Sequence, residues 1–319
     1  GTPADDNREN EAIINGQLDI KAANVTVDGF TIRNTTGSGQ MVNLGGNGYE
    51  ISNTRLNVSS GGIAAYGKGD DGRFANNVVI INGTSNYGIR LGDASGAVVV
   101  ENTFRQAEVP DSSDNTPQGI LLSSNHDAVI SRNTFEGADS GQAVLVSNNA
   151  GNSSNLTIEG NDIDGFATGI LLYENADEIF DVNVTDNVVT NTSSVDIQAA
   201  DASGSDGFNG LNGVDQTSDQ VTALVSDNDV TVAKVGSETA TPDVVTVDDD
   251  GQSDFDTIQA ALDVASSGTT IEVRNGTYTL DSTLSIGTEV IIEGESSNGV
   301  VIDANGQGTG IDVSTDNVT

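Results

Sequence analysis

The residues that could carry out acid–base chemistry are concentrated in one stretch of the chain. His126, the only histidine, stands beside Asp127, and Arg132 follows a few residues later. Asp111 and Asp114 lie in the polar segment just upstream. Paired carboxylates can supply the acid and the base of glycoside cleavage when they lie about 5 to 10 Å apart. A solvated loop with surface ion pairs, each worth about 0 to 1 kcal/mol, is the simpler interpretation. These five residues are therefore catalytic candidates, and the sequence predicts no defined catalytic site.

Two other groups of side chains could bind a ligand. Tyr66, Tyr87 and Tyr173 occupy similar places in the chain's repeats and could stack on sugar rings. Asp248 and Asp250 imitate part of a calcium loop, although threonines occupy the first and twelfth ligand positions. Isolated surface tyrosines and a turn of solvated acids are the alternative interpretations. We expect no obligatory cofactor, and Ca²⁺ is the ion that these carboxylates could hold.

Sequons for N-glycosylation recur along the whole chain. A chain rich in asparagine and threonine contains many such matches by chance, but in an exported protein some would be modified at exposed corners. The candidate acceptors are Asn24, Asn34, Asn57, Asn82, Asn152, Asn155, Asn183, Asn191, Asn275 and Asn317.

A short pattern returns about every 22 to 29 residues, a spacing typical of solenoids. An apolar strand ends in N-x-F or N-x-I, and a second strand of the form G-I-x-L follows, as in Gly88-Ile89-Arg90-Leu91. The alternation of apolar and polar residues predicts strands with one face inward. We therefore predict stacked coils of strands. Equivalent corner asparagines should form a buried hydrogen-bonded ladder through Asn102, Asn133, Asn161 and Asn187.

With these motifs the chain resembles the right-handed parallel β-helix proteins of the pectin-lyase-like superfamily over nearly its whole length. The resemblance implies an all-β solenoid and, for the enzymes of the superfamily, action on acidic polysaccharides. Their hydrolase branch uses G-H-G and R-x-K motifs, which this chain lacks. Their lyase branch uses an arginine or lysine base beside calcium-binding aspartates, and Arg105 and Arg132 with the acids near them are the nearest match. A polysaccharide lyase or glycoside hydrolase activity stays an open alternative.

Acidic residues dominate the charge of the chain. Asp and Glu number 48 against 11 Lys and Arg, which gives a net charge of -37, and there is no cysteine. Such a surface repels nucleic acid and anionic membranes. Self-repulsion is screened in concentrated salt, where the Debye length falls to about 3 Å at 1 M. The composition resembles that of proteins from halophilic archaea, and an acidic, calcium-loaded extracellular protein is the rival interpretation.

The organisation of the chain changes near residue 236. Residues 1–236 are predicted to form β-helix coils, with 220–235 as a last strand pair, 237–242 a linker, and 243–319 a further region. That region contains a short amphipathic helix near 253–265, with Ser253 or Asp254 as N-cap. The helix resembles the end cap of pectinesterase-like β-helices. Because Asn317-Val318-Thr319 parallels Asn24-Val25-Thr26, we predict that 243–319 begins a second β-helix in a tandem array.

These features favour a structural role. We expect an extracellular, cell-surface solenoid that serves as a rigid stalk, filament subunit or adhesin and associates with itself head to tail. A surface polysaccharide is a further partner that it could bind, whereas nucleic acid and membrane insertion are not expected. The alternative is a polysaccharide-active enzyme or a viral tail-spike depolymerase, which a groove with clustered carboxylates would favour.

Overall fold

The structure is a computed structural model that describes residues 12–33, 39–58, 62–82, 87–106, 117–148, 151–175, 177–201, 209–214, 217–236, 238–249, 253–306, 308–316 and 318. The chain divides into two compact units. The first unit is Gly1–Asp229 with Lys234–Ser237, and the second unit is Val230–Ala233 with Glu238–Thr319. That the second unit opens a tandem β-helix remains a prediction.

Short strands joined by tight corners build the first unit. The corners use residues that accept a left-handed backbone at low cost, such as Asn76 at φ 54° and Asp93 at φ 53°. In chain order the strands are β1 (Ala12–Asn15), β2 (Leu18–Ile20), β3 (Thr26–Asp28), β4 (Phe30–Arg33), β5 (Gly39–Leu44), β6 (Glu50–Ser52), β7 (Arg55–Val58), β8 (Gly62–Gly67), β9 (Arg73–Ala75), β10 (Val78–Ile81), β11 (Tyr87–Gly92), β12 (Val98–Val100), β13 (Thr103–Gln106), β14 (Gln118–Ser123), β15 (Val129–Ser131), β16 (Thr134–Glu136), β17 (Gln142–Asn148), β18 (Ser153–Glu159), β19 (Asp162–Asp164), β20 (Thr168–Glu174), β21 (Ile179–Thr185), β22 (Val188–Thr190), β23 (Val195–Asp201) and β24 (Asn209–Leu211).

Each coil gives one strand to each of three parallel sheets. Sheet A runs β1-β4-β7-β10-β13-β16-β19-β22, the first eight strands of sheet B run β2-β5-β8-β11-β14-β17-β20-β23, and sheet C runs β3-β6-β9-β12-β15-β18-β21-β24. Every strand therefore pairs with its equivalents in the coils before and after it, which is the topology of a parallel β-solenoid. The predicted all-β parallel β-helix is confirmed.

Rows of apolar side chains in register fill the interior of the first unit. Because side chains alternate along a strand, Ile89 and Leu91 point inward while Arg90 points outward, and both apolar residues are fully buried. Phe104 and Phe135 of neighbouring coils stack with ring centroids 4.6 Å apart. One inward row of sheet B comprises Val42, Ala65, Ile89, Ile120, Val144, Ile170 and Ile197.

The asparagine ladder is confirmed at the corner between sheets C and A. Asn133 Oδ1 accepts hydrogen bonds from the backbone N–H of Asn102 at 3.0 Å and from its Nδ2 at 2.9 Å. Asn133 Nδ2 in turn donates to Asn161 Oδ1 at 3.0 Å and to the carbonyl of Val99 at 2.9 Å. The same contacts join Asn161 to Asn187 and continue to Asn77 and Asn228 at the two ends.

The prediction that residues 220–235 form a last strand pair is wrong for the first part of that segment. Residues Thr217–Ser226 form a helix, α1. Val221 and Leu224 lie three positions apart and are both buried, a spacing that fits one face of a helix better than the alternation of a strand. The remaining elements are β25 (Ala233–Val235), β26 (Glu238–Ala240), β27 (Val244–Val247), α2 (Ile258–Val264), β28 (Thr270–Val273), β29 (Gly276–Thr279), β30 (Leu284–Ile286), β31 (Ile291–Gly294), β32 (Val300–Asp303) and β33 (Ile311–Val313).

The second unit repeats the three-sheet plan on a smaller scale. Its parallel sheets are β27-β28-β31, β29-β32 and β30-β33. The predicted helix is present as α2, but Ser253 and Asp254 do not cap it. Thr257 is the N-cap, because its side-chain oxygen accepts the backbone N–H of Ala260 at 3.2 Å. None of the helices in the described residues is long and apolar enough to cross a membrane.

Candidate functional site

The outer face of sheet B brings together side chains that are far apart in sequence. The parallel register places Tyr66 of β8 beside Arg90 of β11, and Arg90 beside Leu121 of β14. In the next outward row, Tyr87 lies beside Gln118. Because neighbouring strands are about 4.8 Å apart, these side chains contact each other across coils. The register thus builds a mixed aromatic and polar patch.

Arg90 is held between two aromatic rings. Its guanidinium carbon lies 5.4 Å from the centroid of the Tyr66 ring and 5.9 Å from that of Tyr87. The ammonium of Lys68 also lies 5.3 Å from the Tyr66 centroid. Cations this close to an aromatic face are attracted by the ring quadrupole. Two positive side chains therefore meet at Tyr66 in a chain that carries 11 basic residues against 48 acidic ones.

Two buried polar atoms in this patch lack a hydrogen-bond partner among the described residues. They are Nε of Arg90 and Oε1 of Gln118. Gln118 uses its other amide atom, since Nε2 donates to Gln142 Oε1 at 3.3 Å. Buried polar groups are nearly always paired, so an unpaired donor and an unpaired acceptor at one place need an explanation. A ligand or an ordered water that both donates and accepts would satisfy them.

The patch forms a groove of about 260 Å³ that crosses four strands of sheet B. Leu121 and Leu145 provide apolar surface, Ser123 and Ser147 provide hydroxyls, and Asp93 is the carboxylate of the lining. Tyr66, Tyr87, Arg90, Gly92 and Gln118 complete the lining. Apolar surface with a few placed polar groups is typical of a binding site for a small molecule or a polymer segment.

His126 and Asp127 lie at a different place, on the corner that precedes β15. Both residues are exposed. His126 Nδ1 is 2.7 Å from Ser154 Oγ. Asp127 adopts a positive φ of 55° and accepts hydrogen bonds from Asn155 Nδ2 at 2.6 Å and Ser95 Oγ at 3.3 Å. These contacts join successive coils at the corner.

The predicted basic candidates are separated from this corner and from each other. Arg132 follows β15 at the next corner, and its Nε is 3.3 Å from Glu101 Oε1. Arg105 lies on sheet A, where its Nε is 2.8 Å from Glu136 Oε2. Asp111 and Asp114 lie outside the described residues. The described part of the predicted catalytic set is thus distributed over two corners, and its role remains a prediction.

The third tyrosine lies away from the first two. Tyr173 is on β20, where it pairs in register with Ser147 and Ala200, and it does not line the groove. Asp248 is half-buried at the end of β27, and Asp250 lies outside the described residues. Within the described part of the chain, no group of three His, Cys, Asp or Glu side chains could hold a metal ion. The calcium site and the sugar-binding role of Tyr173 remain predictions.

The structure divides the candidate glycosylation sites by exposure. Asn57 and Asn82 are half-buried, and Asn82 Nδ2 donates to Asn57 Oδ1 at 2.6 Å. Asn34 and Asn317 lie outside the described residues. The exposed candidates are Asn24, Asn152, Asn155, Asn183, Asn191 and Asn275. Modification of any of them remains a prediction.

Sequence reasoning missed the central residue of the groove. Arg90 occupies the variable position of the G-I-x-L motif, where later coils carry Leu121 and Leu171. A charged residue at a position that is leucine in those later coils is a signal that inspection of the repeat could have used. The repeat did not reveal which residues of neighbouring coils surround Arg90.

Comparison with known proteins gives a partial family match. Residues 4–153, which are less than half of the chain, match the family described as "Periplasmic copper-binding protein (NosD)". No curated protein matches the chain. Among solved structures, the A-module of the mannuronan C-5 epimerase AlgE6 from Azotobacter vinelandii is 12% identical, with 96% of this chain and 89% of that chain covered and a TM-score of 0.29. The PL6 family alginate lyase AlyGC is 10% identical, with 98% and 70% covered and a TM-score of 0.18. Similarity this low carries no argument about activity.

Proposed function

We propose that this chain is an exported structural and adhesive β-solenoid, a rigid stalk or filament subunit of the cell surface. Its groove on sheet B holds a segment of an anionic polysaccharide and does not cleave it. The observation that carries the proposal is the guanidinium of Arg90, which lies between Tyr66 and Tyr87 and whose buried Nε has no hydrogen-bond partner among the described residues.

The chemistry of the groove favours a carboxylated or sulfated sugar. A guanidinium presents a planar fork of donors that matches a carboxylate or sulfate, and its hydrogen bonds to such groups are charge-assisted. The tyrosine rings and the leucine side chains offer apolar surface to a sugar ring. Four adjacent strands span about 14 Å along the solenoid axis, which suits an extended polymer.

A polysaccharide-active enzyme remains the alternative function. Hydrolysis of a glycoside normally uses two carboxyl groups, and Asp93 is the single carboxylate in the described lining of the groove. A lyase would instead need a base, and Arg90 stands near Asp93 in sequence and in the lining. The arrangement therefore supports binding more directly than catalysis, and a turnover measurement separates the two.

The test is a binding titration with polymers of known charge in molar salt, where the long-range repulsion between the acidic chain and an anionic polymer is screened. We expect polygalacturonate or dextran sulfate to bind the chain and neutral dextran to bind much more weakly. Arg90→Gln should weaken binding of the anionic polymer about 10- to 100-fold, because a hydrogen bond to a charged group contributes about 1.5 to 3 kcal/mol. Arg90→Lys keeps the charge but loses the fork, so it should restore only part of the affinity.

Arg73→Gln is the matched control, because Arg73 also points outward but lies on sheet C beside Glu50. It should bind like the unchanged chain. Equal affinity of Arg90→Gln and Arg73→Gln would overturn the proposed groove. Release of shortened or unsaturated oligosaccharides by the unchanged chain, lost in Arg90→Gln, would establish the enzyme alternative instead.

Copper binding is not proposed for this chain. Copper sites in proteins are built from cysteine, methionine and histidine side chains. This chain has no cysteine, one histidine and one methionine. Met41 is fully buried in the first unit, while His126 is exposed at a corner. These donors do not fit a copper site, although the family that residues 4–153 match is described as copper-binding.

The proposed location and origin rest on charge and on the partial family match. The family is described as periplasmic, which supports export of this chain. The net charge of -37 supports a salt-adapted organism, such as a halophilic archaeon. Secretion of the chain by a host grown in molar salt would agree with export and with salt adaptation. Retention of the chain in the cytoplasm would contradict export.

A further inference from the structure

The groove on sheet B carries positive charge at one end only. Lys68 and Arg90 both lie over the ring of Tyr66, and Arg90 is the basic side chain among the described residues that line the groove. At the outward position that Arg90 holds on β11, the three following strands of sheet B carry leucines. These are Leu121, Leu145 and Leu171, here called the leucine row. A row that begins with cations therefore continues as aliphatic surface along the solenoid axis.

The leucine row does not suit a second anionic group. Leu121 and Leu145 are 7% and 9% exposed although they point outward, and a carboxylate placed on apolar surface loses hydration without gaining a partner. Asp93 adds a negative charge to the lining, and it repels other anions. A polymer with a carboxylate on every sugar would put charges over the leucine row, whereas a polymer with uncharged sugars next to the acidic one would not.

Gln118 sets a second requirement for the ligand. The residue is 7% exposed and lies on β14, one coil beyond Arg90. Its Oε1 has no hydrogen-bond partner among the described residues, and an amide oxygen accepts hydrogen bonds, so it needs an N–H or O–H of the ligand. An N-acyl substituent on a sugar offers an amide N–H to this acceptor and a methyl group to the leucine row. A single substituent thus matches both features of this coil.

From these observations we infer that the groove selects a polysaccharide in which an acidic sugar alternates with an uncharged, N-acylated sugar. The carboxylate of the acidic sugar pairs with Arg90, and the N-acylated sugar lies over Leu121 with its N–H at Gln118. Ser123 and Ser147, which also line the groove, offer their hydroxyls to those of the sugars. Because the selection takes place in the groove of sheet B, it rests on the proposed function that this groove binds an anionic polysaccharide.

The first experiment compares two anionic polymers of matched length in molar NaCl, with neutral dextran as the blank. Hyaluronate alternates a uronate with an N-acetylated sugar, and polygalacturonate carries a carboxylate on every sugar. Hyaluronate should bind at least about tenfold more tightly, because it gains a hydrogen bond and places no charge on the leucine row. Equal or tighter binding of polygalacturonate, still dependent on Arg90, would overturn the selection and leave the proposed function standing. Binding of neither polymer would overturn both.

A cation inserted into the leucine row tests the charge pattern. Leu145→Arg extends the positive row and should raise the affinity for polygalacturonate about tenfold, so that the preference for hyaluronate is lost. Ile80→Arg is the matched control, because Ile80 is half-buried on sheet A between Asn57 and Arg105 and the substitution adds the same charge on another face. It should leave the ratio of the two affinities unchanged. The same ratio in both variants would overturn the inference.

A second pair of variants tests the acceptor. Gln118→Met keeps the length of the side chain but removes Oε1, so it should weaken the binding of hyaluronate about tenfold. Gln142→Met removes the same hydrogen bond between the two glutamines and leaves Oε1 of Gln118 in place, so it should bind hyaluronate like the unchanged chain. Circular dichroism checks that both variants are folded. Equal affinities of the two variants would show that the sugar does not satisfy Gln118, and the N-acylated sugar would be the wrong class.

Discussion

At the scale of single residues, Tyr49 is a buried aromatic side chain with an unsatisfied hydroxyl. Its side chain is fully buried, and its hydroxyl has no hydrogen-bond partner among the described residues. It fits because the next coil carries glycine at positions 67 and 72, where a Cβ atom would collide with the Tyr49 ring or hydroxyl. Phe74 packs edge-on against it, with ring centroids 5.6 Å apart. Desolvation by burial raises the pKa of the Tyr49 hydroxyl above its usual range.

Tyr49→Phe should therefore stabilise the fold. Removal of an unsatisfied buried hydroxyl should raise the free energy of unfolding by about 1 kcal/mol. In the unfolded chain the tyrosine loses its proton near pH 10, whereas folded Tyr49 keeps it. The unfolded state then binds fewer protons, and stability falls above pH 10 by about 1.4 kcal/mol per pH unit.

Urea unfolding at pH 8 to 11 measures this dependence. The free energy of unfolding should fall less steeply with pH in Tyr49→Phe than in the unchanged chain. Tyr173→Phe, which alters a half-buried ring, should keep the original slope, and identical slopes for the two variants would contradict this account.

At the scale of elements, the asparagine ladder fixes the corner between sheets C and A. Each buried asparagine satisfies backbone and side-chain groups of two neighbouring coils. Loss of one member leaves several buried groups without partners, each at a cost of about 1 to 3 kcal/mol. The ladder thus couples adjacent coils, in addition to the apolar rows.

Asn133→Ala should lower the free energy of unfolding by about 3 kcal/mol or more, because it removes both the acceptor of Asn102 and the donor to Val99 and Asn161. Asn43→Ala is the control, since Asn43 hydrogen-bonds to Asp19 on the exposed face, and surface substitutions usually change stability by less than about 0.5 kcal/mol. Both variants are compared by urea unfolding in constant molar salt. Similar urea midpoints for Asn133→Ala and Asn43→Ala would show that the ladder does not contribute to stability.

At the scale of the whole molecule, charge should control stability. A net charge of -37 on 319 residues produces strong self-repulsion at low ionic strength. Thermal unfolding should shift to higher temperature as NaCl rises from 0.1 to 3 M, because the Debye length shrinks from about 10 Å to less than 3 Å. The measurement is circular dichroism across this range.

Sucrose at matched osmolality is the control for that experiment, because it favours the compact state by exclusion from the protein surface and does not screen charge. The unfolding temperature should rise more in NaCl than in sucrose. An equal rise of the unfolding temperature in the two solutes would assign the effect to solute exclusion. The electrostatic explanation of salt adaptation would then be wrong.

The sequence by itself determined the repeating parts of this protein. The alternation of strands, the asparagine ladder at Asn102 to Asn187 and the acidic charge follow from local patterns, because each coil repeats the chemistry of its neighbour. Helix α1 was not predicted from the sequence, because Val221 and Leu224 lie in a segment where the repeat is interrupted.

Only the tertiary structure decided which side chains meet across coils. Arg90 lies between Tyr66 and Tyr87 because the pairing of β8, β11 and β14 fixes the register, and coil lengths differ too much for sequence spacing to give that register. The same register places Tyr173 on another strand and puts Arg132 and His126 at separate corners. The strands themselves are local, whereas the groove depends on hydrogen bonds between residues that are distant in the chain.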